Sequence, residues 1–537
     1  MRKLLAMTLA VLMLVMAMPM LASAEATEQK LVFQMGEEPQ VMDPTMNDYA
    51  SGSYALQNLF RGLYKFAEDG SLVPAMAESY TVSEDGTVYT FTLREGLKWS
   101  DGSPLTAKDF EYSWKRVLTP ELASETAYTL YGVIKNGYQA FVEQSCSVDE
   151  VGVKALDDLT LEVTLTAPAP YFLSMTASTA FMPVQQATIE QNGEDWETDP
   201  STFVCNGPFM VQEMLPDEKY VFVKNPNYYD ADNVKLDVLE YVFLNAPETV
   251  LIAFQNGEVD VATSVNADAI EQYNGSDNML VSDRIGWRYY EINTTAEGLT
   301  DPRVRRALAM SLDRNVLITA VLQDNMPALN GFIPHGFPDL LDDTKSWRDT
   351  HEDVITEDVA AAQALMAEAG YPNGEGFPTI RLVQEPTASL VKVAQAMAQM
   401  WKQNLGINVE IVTVESGVYW ADDTGTRDSG DFEIAYMGYT GDYLDPSSIL
   451  YNLDSNGSAK NTRWSNEEYD DLMNQLRNGV AGEEREKVLE RAEELLAEEM
   501  PVIPVYSYTA QALVSDRVHG FTRNYIGHPN FEYCYVD

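Results

Sequence analysis

Between residues 355 and 450 the chain alternates between two periods, and this alternation limits its fold more than any other feature. Val359 to Ala369 repeats apolar residues at helical spacing and stops at Gly370, with Pro372 just beyond. Thr379–Gln384 reads as a strand, Ala388–Leu405 as a helix ending at Gly406, and Ile407–Val414 and Phe432–Tyr439 as further strands. Strands separated by helices of this length imply an α/β fold: a mostly parallel sheet with helices on its faces. Glu483 to Glu499 adds an amphipathic helix with Val488, Ala492, Leu495 and Leu496 inward, and Val502–Tyr508 a last strand.

The strand at Phe432–Tyr439 breaks into Gly438-Tyr439-Thr440-Gly441-Asp442-Tyr443, and Asp445-Pro446 opens the next helix as cap and first-turn residue. Glycines let another backbone come close, and open α/β sheets bind ligands at the carboxyl ends of their strands. Asp442 is therefore a candidate ligand carboxylate. Its competing role is to satisfy turn amides.

The first part of the chain reads differently. Leu31–Met35 is a short strand, Ser53 to Tyr64 has helical spacing, and Asp69-Gly70 and Asp85-Gly86 are hairpin turns. Ser79–Val82 and Val88–Leu93 alternate as strands, and Thr106 to Val117 is a helix with Asp109 in the capping-box position.

At the start, Arg2-Lys3, the apolar run Leu4–Met18 and Ala22-Ser23-Ala24 form a secretory signal over 1–24. No cysteine stands near the cleavage point for lipid attachment, and no later apolar run is long enough to span a bilayer. Removing 24 of the 537 residues leaves 513, enough for two or three lobes. The signal holds two basic and no acidic residues, so cleavage takes the net charge from −48 to −50. That balance argues against nucleic acid and anionic membranes as partners and favours cationic ligands. Three cysteines, Cys146, Cys205 and Cys534, are too few for a disulfide framework. A Cys146–Cys205 bridge and separate buried thiols both fit their spacing.

Nothing in the sequence points to catalysis. The four histidines, His335, His351, His519 and His528, show no zinc-type spacing. Gly-x-Ser-x-Gly, phosphate-loop and dinucleotide signatures are absent from the sequence. No cofactor or metal is expected; a secreted hydrolase is the outlying alternative.

Longer motifs carry a resemblance. Glu38-Pro39 with Met42-Asp43-Pro44, Leu72–Tyr80, and above all Trp99-Ser100-Asp101-Gly102-Ser103-Pro104-Leu105-Thr106-Ala107 are similar to the family 5 extracellular solute-binding proteins. Asn206-Gly207-Pro208-Phe209, Phe254–Asp260 and Asp301–Leu308 extend the likeness over almost the whole chain. The family captures substrates for ABC importers of peptides, nickel complexes and some sugars. The resemblance implies a periplasmic-binding-protein-like type II fold, with three lobes and mixed sheets around a hinged ligand cleft. It places residues 25–60 with 185–285 and 510–537 in a first lobe, 61–184 in a small accessory lobe, and 286–509 in a second ligand-binding lobe.

The same resemblance implies the site. In peptide-binding members an Asp at the position of Asp442 pairs with the ligand α-ammonium. Tyr439, Thr440 and Gly441 align with residues whose backbone pairs with the peptide as an added strand. Asp48, Ser264, Tyr289, Asn461 and Tyr508 align with cleft positions. Leu390 and Tyr436 stand where relatives carry His and Arg. The C-terminal anchor is therefore expected to be weak, with Arg427 retained and Arg288 as an added candidate. The expected protein is a monomer that is exported to the periplasm or cell surface. It takes short peptides with a free N-terminus and delivers them to ABC permease subunits. A nickel-chelate or oligosaccharide binder is the alternative.

Overall fold

The computed structural model describes residues 28–67, 70–342, 344–421, 425–455 and 457–537. The expected signal segment and Asp69 lie outside them. Among the described residues no helix is long and apolar enough to cross a membrane.

β1 (Lys30–Met35) opens the described chain, followed by the helix Ala50–Leu59. Helical spacing predicts a helix over Ser53–Tyr64, but Phe60 is already extended. Tertiary bonds capture the chain there: Gly207 N donates to Leu59 O at 2.7 Å, and Arg61 N to the Asn206 side-chain oxygen at 3.0 Å. β2 (Tyr64–Phe66) and β3 (Leu72–Pro74) then form a small antiparallel pair.

β4 (Ala77–Val82) and β5 (Val88–Leu93) form a hairpin across Asp85-Gly86, where Gly86 has φ +71°. β6 (Val153–Ala155) and β7 (Thr160–Thr164) complete a four-stranded sheet of order β4-β5-β7-β6. The helix Ala107–Val117 packs on β6 and β7. Thr106 N donates to the Asp109 carboxylate at 2.7 Å, closing the expected capping box.

β8 (Phe209–Leu215), β9 (Lys219–Lys224), β10 (Val238–Phe243), β11 (Val261–Ala262) and β12 (Met279–Ile292) belong to a second sheet. β13 (Ile380–Gln384), β14 (Val409–Thr413), β15 (Ile434–Thr440) and β16 (Val502–Val514) complete its ten strands, in order β14-β13-β15-β12-β16-β11-β1-β10-β9-β8. β13 pairs parallel with β14 and β15, as the alternation requires. β12 pairs antiparallel with both β15 and β16, so the sheet is mixed.

The last strand runs to Val514 rather than Tyr508 because it keeps its partner. It follows β12 from Glu291↔Val502 to Met279↔Leu513 and then takes β11 at Val261↔Val514. Three apolar cores lie along this length, the smallest around Phe254, Val259 and Leu513. Of the other two, one contains Phe33, Trp114, Phe172 and Phe531, and the second contains Trp287, Trp347, Trp401 and Leu496. The helix Ala388–Leu405 buries Val393, Met397 and Trp401 and ends at Gly406 with φ 77°, as its sequence predicts. Cys146 and Cys205 are free thiols, so no bridge joins them.

Candidate ligand-binding site

The end of β15 forms one wall of a cavity of ≈ 260 Å³. Thr440, Gly441 and Asp442 line it from this side, Asp48 and Ser53 from the N-terminal segment, and Tyr128 from the segment between β5 and β6. Asp442 Oδ1 accepts the Tyr128 hydroxyl at 2.9 Å, and Oδ2 accepts the Tyr439 hydroxyl at 2.6 Å. Burial pushes the Asp442 carboxyl up; the two hydroxyls favour its charged form but do not cancel the rise. Among the described residues no Lys, Arg or His lies within ion-pair distance of Asp442. The carboxylate is satisfied by neutral donors and has room on the cavity side for a charged one.

Backbone geometry leaves an open edge beside it. β15 pairs with β12 from Ile434 to Thr440, but with β13 only at Ile434 and Ala435. From Tyr436 onward no strand pairs with the other edge among the described residues, and Tyr436 O accepts the Tyr419 hydroxyl at 2.6 Å. Gly441 N donates to Ile285 O at 2.7 Å, which fixes the turn toward the cavity. A Cβ on Gly438 would collide with the Tyr508 hydroxyl, so any larger residue there would have to displace the Tyr508 side chain. The next helix starts one residue later than the sequence suggests. Pro446 is its cap, while Asp445 accepts from Ser447 N at 2.9 Å and pairs with Arg485 at 2.7 Å.

The structure brings Asp442, Thr440, Gly441 and Asp48 to one cavity, bonds Tyr439 to Asp442, and places the other expected residues elsewhere. Ser264 Oγ accepts from Gln34 Nε2 at 2.9 Å, and Gln34 Oε1 in turn accepts Ser264 N at 3.1 Å; this ties β1 to the chain after β11. Tyr289 is fully buried and stacks on Trp287 at 4.2 Å. Arg427 donates to Glu291 at 3.0 Å, and Asn461 to Asp428 at 3.1 Å, in a buried network away from the cavity wall. Tyr508 stands between, its ring 5.5 Å from the Arg284 guanidinium and 5.6 Å from that of Arg288. Arg288 also lies 5.1 Å over the Tyr436 ring.

Tyr128, Arg284 and His528 are among the cavity residues that no sequence signal singles out. Burial, with Arg284 and Arg523 adding positive charge, pushes the His528 imidazole down to about 3, so it is neutral. One cluster elsewhere has metal-ligand composition: Asp339, His351 and Glu486, whose ligand atoms lie within 4.8 Å of one another. His351 Nε2 is 3.3 Å from Glu486, and its ring stacks on Trp347 at 3.7 Å.

The sequence profile of bacterial extracellular solute-binding proteins, family 5 (middle), matches residues 71–461. The chain belongs to this family. Among family 5 relatives, the dipeptide-binding protein DppE of Bacillus subtilis (strain 168) is 33% identical over 514 residues, 95% of this chain and 93% of that protein. The periplasmic murein tripeptide-binding protein MppA, in an unliganded open form, superposes with a TM-score of 0.79 at 31% identity, covering 95% of this chain and 98% of that one. Haemophilus influenzae OppA in complex with RPPGFSPFR gives a TM-score of 0.74 at 27% identity, covering 95% and 99%. The α/β solute-binding fold expected from the sequence is thus the fold of the chain.

Proposed function

We propose that this chain is an extracytoplasmic receptor that captures short peptides by their free N-terminus and delivers them to an ABC importer. The observation that carries the reading is Asp442: a carboxylate at a cavity wall, held by two tyrosine hydroxyls and by no cation among the described residues. A peptide α-ammonium supplies the missing charge. The open edge of β15 beyond Ala435 supports the second half of the reading, since an extended ligand can pair with it as a strand. Relatives named for dipeptide, oligopeptide and murein peptide binding support the ligand class. The chain acts as a monomer, is exported behind its signal segment, meets ABC permease subunits outside the membrane, and performs no catalysis. Ligand closure swings the 286–509 lobe against the other two.

Calorimetry with trialanine and N-acetyl-trialanine tests this. The free peptide is expected to bind and the acetylated one to bind at least a hundredfold more weakly. Asp442→Asn is expected to remove the difference, because the loss of one member of a buried pair costs about 3–5 kcal/mol. Equal affinity of the wild type for both peptides would refute the N-terminal anchor. Hydrolysed trialanine that disappears with a point variant would refute the receptor class.

A further inference from the structure

β12 departs from regular pairing next to the cavity. Its register with β16 jumps between Asp283↔Thr509 and Trp287↔Ser507, so β12 advances by more residues than its partner. Bulges of this kind re-aim side chains beside functional sites. Here the re-aimed residue is Arg284, which lines both the Asp442 cavity and a second one of ≈ 260 Å³ bounded by Arg523, Gln511 and Thr509. The two cavities are neighbours that share one wall.

The chemistry of that wall is unusual for so acidic a chain. Other arginines, such as Arg61, Arg485 and Arg517, meet carboxylates. Among the described residues, neither Arg284 nor Arg523 has an acidic group within ion-pair distance. Arg284 Nη2 donates to Thr440 Oγ1 at 2.9 Å, while its Nε is buried with no partner. Arg523 donates to Gly527 O at 2.7 Å and to Gln511 O at 2.9 Å. Burial, together with the charge of Arg284, pushes the Arg523 guanidinium down. Asp324 also lines the second cavity, but its carboxylate accepts from Gln511 Nε2 at 2.8 Å and from Asn325 N at 2.7 Å. Two adjacent cations facing one cavity repel each other until an anion enters, and guanidinium groups bind carboxylates through paired donors.

We propose that Arg284 and Arg523 form an anion subsite for a carboxylate of the same ligand whose ammonium sits on Asp442. This rests on the peptide reading above and adds a selection rule to it. Arg284 is bonded to Thr440, two residues before Asp442, and all three line the same cavity. The ligand class is therefore one that carries a carboxylate within a residue or two of its N-terminus. That carboxylate is either the C-terminus of a dipeptide or an acidic side chain near the start of a longer peptide.

Calorimetry on the whole protein separates these sources. The probes are dialanine against its C-terminal amide, and Ala-Asp-Ala amide against Ala-Asn-Ala amide. At least one pair is expected to differ by tenfold or more in favour of the carboxylate, and Arg284→Gln or Arg523→Gln is expected to shrink that ratio to below twofold. A difference in the first pair assigns the C-terminus, one in the second the side chain. If all four peptides bind wild type within twofold, the subsite is overturned while peptide capture stands. If none binds, the peptide reading fails and the subsite with it. The comparison on wild type needs no variant, so misfolding of a substituted chain cannot shelter the proposal.

Discussion

The Tyr128 hydroxyl donates to the Asp442 carboxylate at 2.9 Å across 314 residues of sequence. A residue from the segment between two strands of the small sheet thus occupies one face of the charge at the end of β15. Tyr439 occupies another at 2.6 Å. Two neutral donors hold the site in a state that a single ammonium can replace.

This arrangement sets a pH dependence. Burial raises the Asp442 carboxyl, and a bound ammonium would lower it again. Affinity is therefore expected to be full above the raised value and to fall as pH drops through it; the ligand α-amine stays charged up to about pH 8. Tyr128→Phe removes a bond to the charged form, so the fall is expected to move to higher pH. Calorimetric titration of trialanine between pH 4 and 7.5 measures both. Because a raised carboxyl costs stability as pH rises, Asp442→Asn is expected to melt higher than wild type at pH 7 without ligand.

Glu532 offers the opposite sign. Burial pushes it up, but Arg61 and Lys65 outweigh burial and bring it to about 2. Its contribution to stability is present above the ordinary glutamate range and is lost as pH falls toward 2. Glu532→Gln leaves Arg61, at 3.0 Å, and Lys65, at 2.6 Å, without their carboxylate, and is expected to cost about 3–5 kcal/mol at neutral pH. Thermal melts from pH 2 to 7 should show a weaker acid dependence in the variant than in wild type.

Gly406 ends the helix Ala388–Leu405 at φ +77°, where a Cβ would collide with the Asn373 carbonyl. Gly406→Ala is expected to cost more than about 1 kcal/mol, since strain and backbone collision act together. Urea unfolding measures it. A loss near zero would mean that the Asn373 loop yields freely.

That helix was legible because its signals are local: a helical apolar period and a glycine in the left-handed region just past its end. β15 and Asp442 were legible for the same reason, as alternation broken by glycines. The end of the helix Ala50–Leu59 was not, because Asn206 and Gly207 capture the chain from about 145 residues away. Tyr128 was hidden by its neighbourhood; Tyr131 and Tyr138 lie close by in sequence, and nothing local marks the one that meets Asp442. Arg284 owes its place to a bulge in β12, and a bulge leaves no trace in a period of two.

Arg427 shows how a basic residue can suggest a ligand when its partner is a distant acid. The family resemblance implies an anchor for a peptide carboxylate, whereas the structure pairs Arg427 with Glu291, 136 residues away and wholly buried. Burial pushes the Glu291 carboxyl up, and Arg427 restrains it. Arg427→Ala would leave that acid without its cation, at a cost of about 3–5 kcal/mol. The stranded Glu291 would then take up a proton, so the variant should lose stability between pH 5 and pH 8 more steeply than wild type, in which the carboxyl is already raised but held down by Arg427. Replacing both residues, Arg427→Met with Glu291→Leu, should recover most of the loss, because a well-packed apolar pair can substitute for a buried ion pair. Peptide affinity should stay within about threefold in the double variant, and the penalty for C-terminal amidation should not change. Melting curves and calorimetry on the same samples decide it: an amidation penalty that vanished with Arg427 would move the carboxylate site from Arg284 and Arg523 to the Glu291 network.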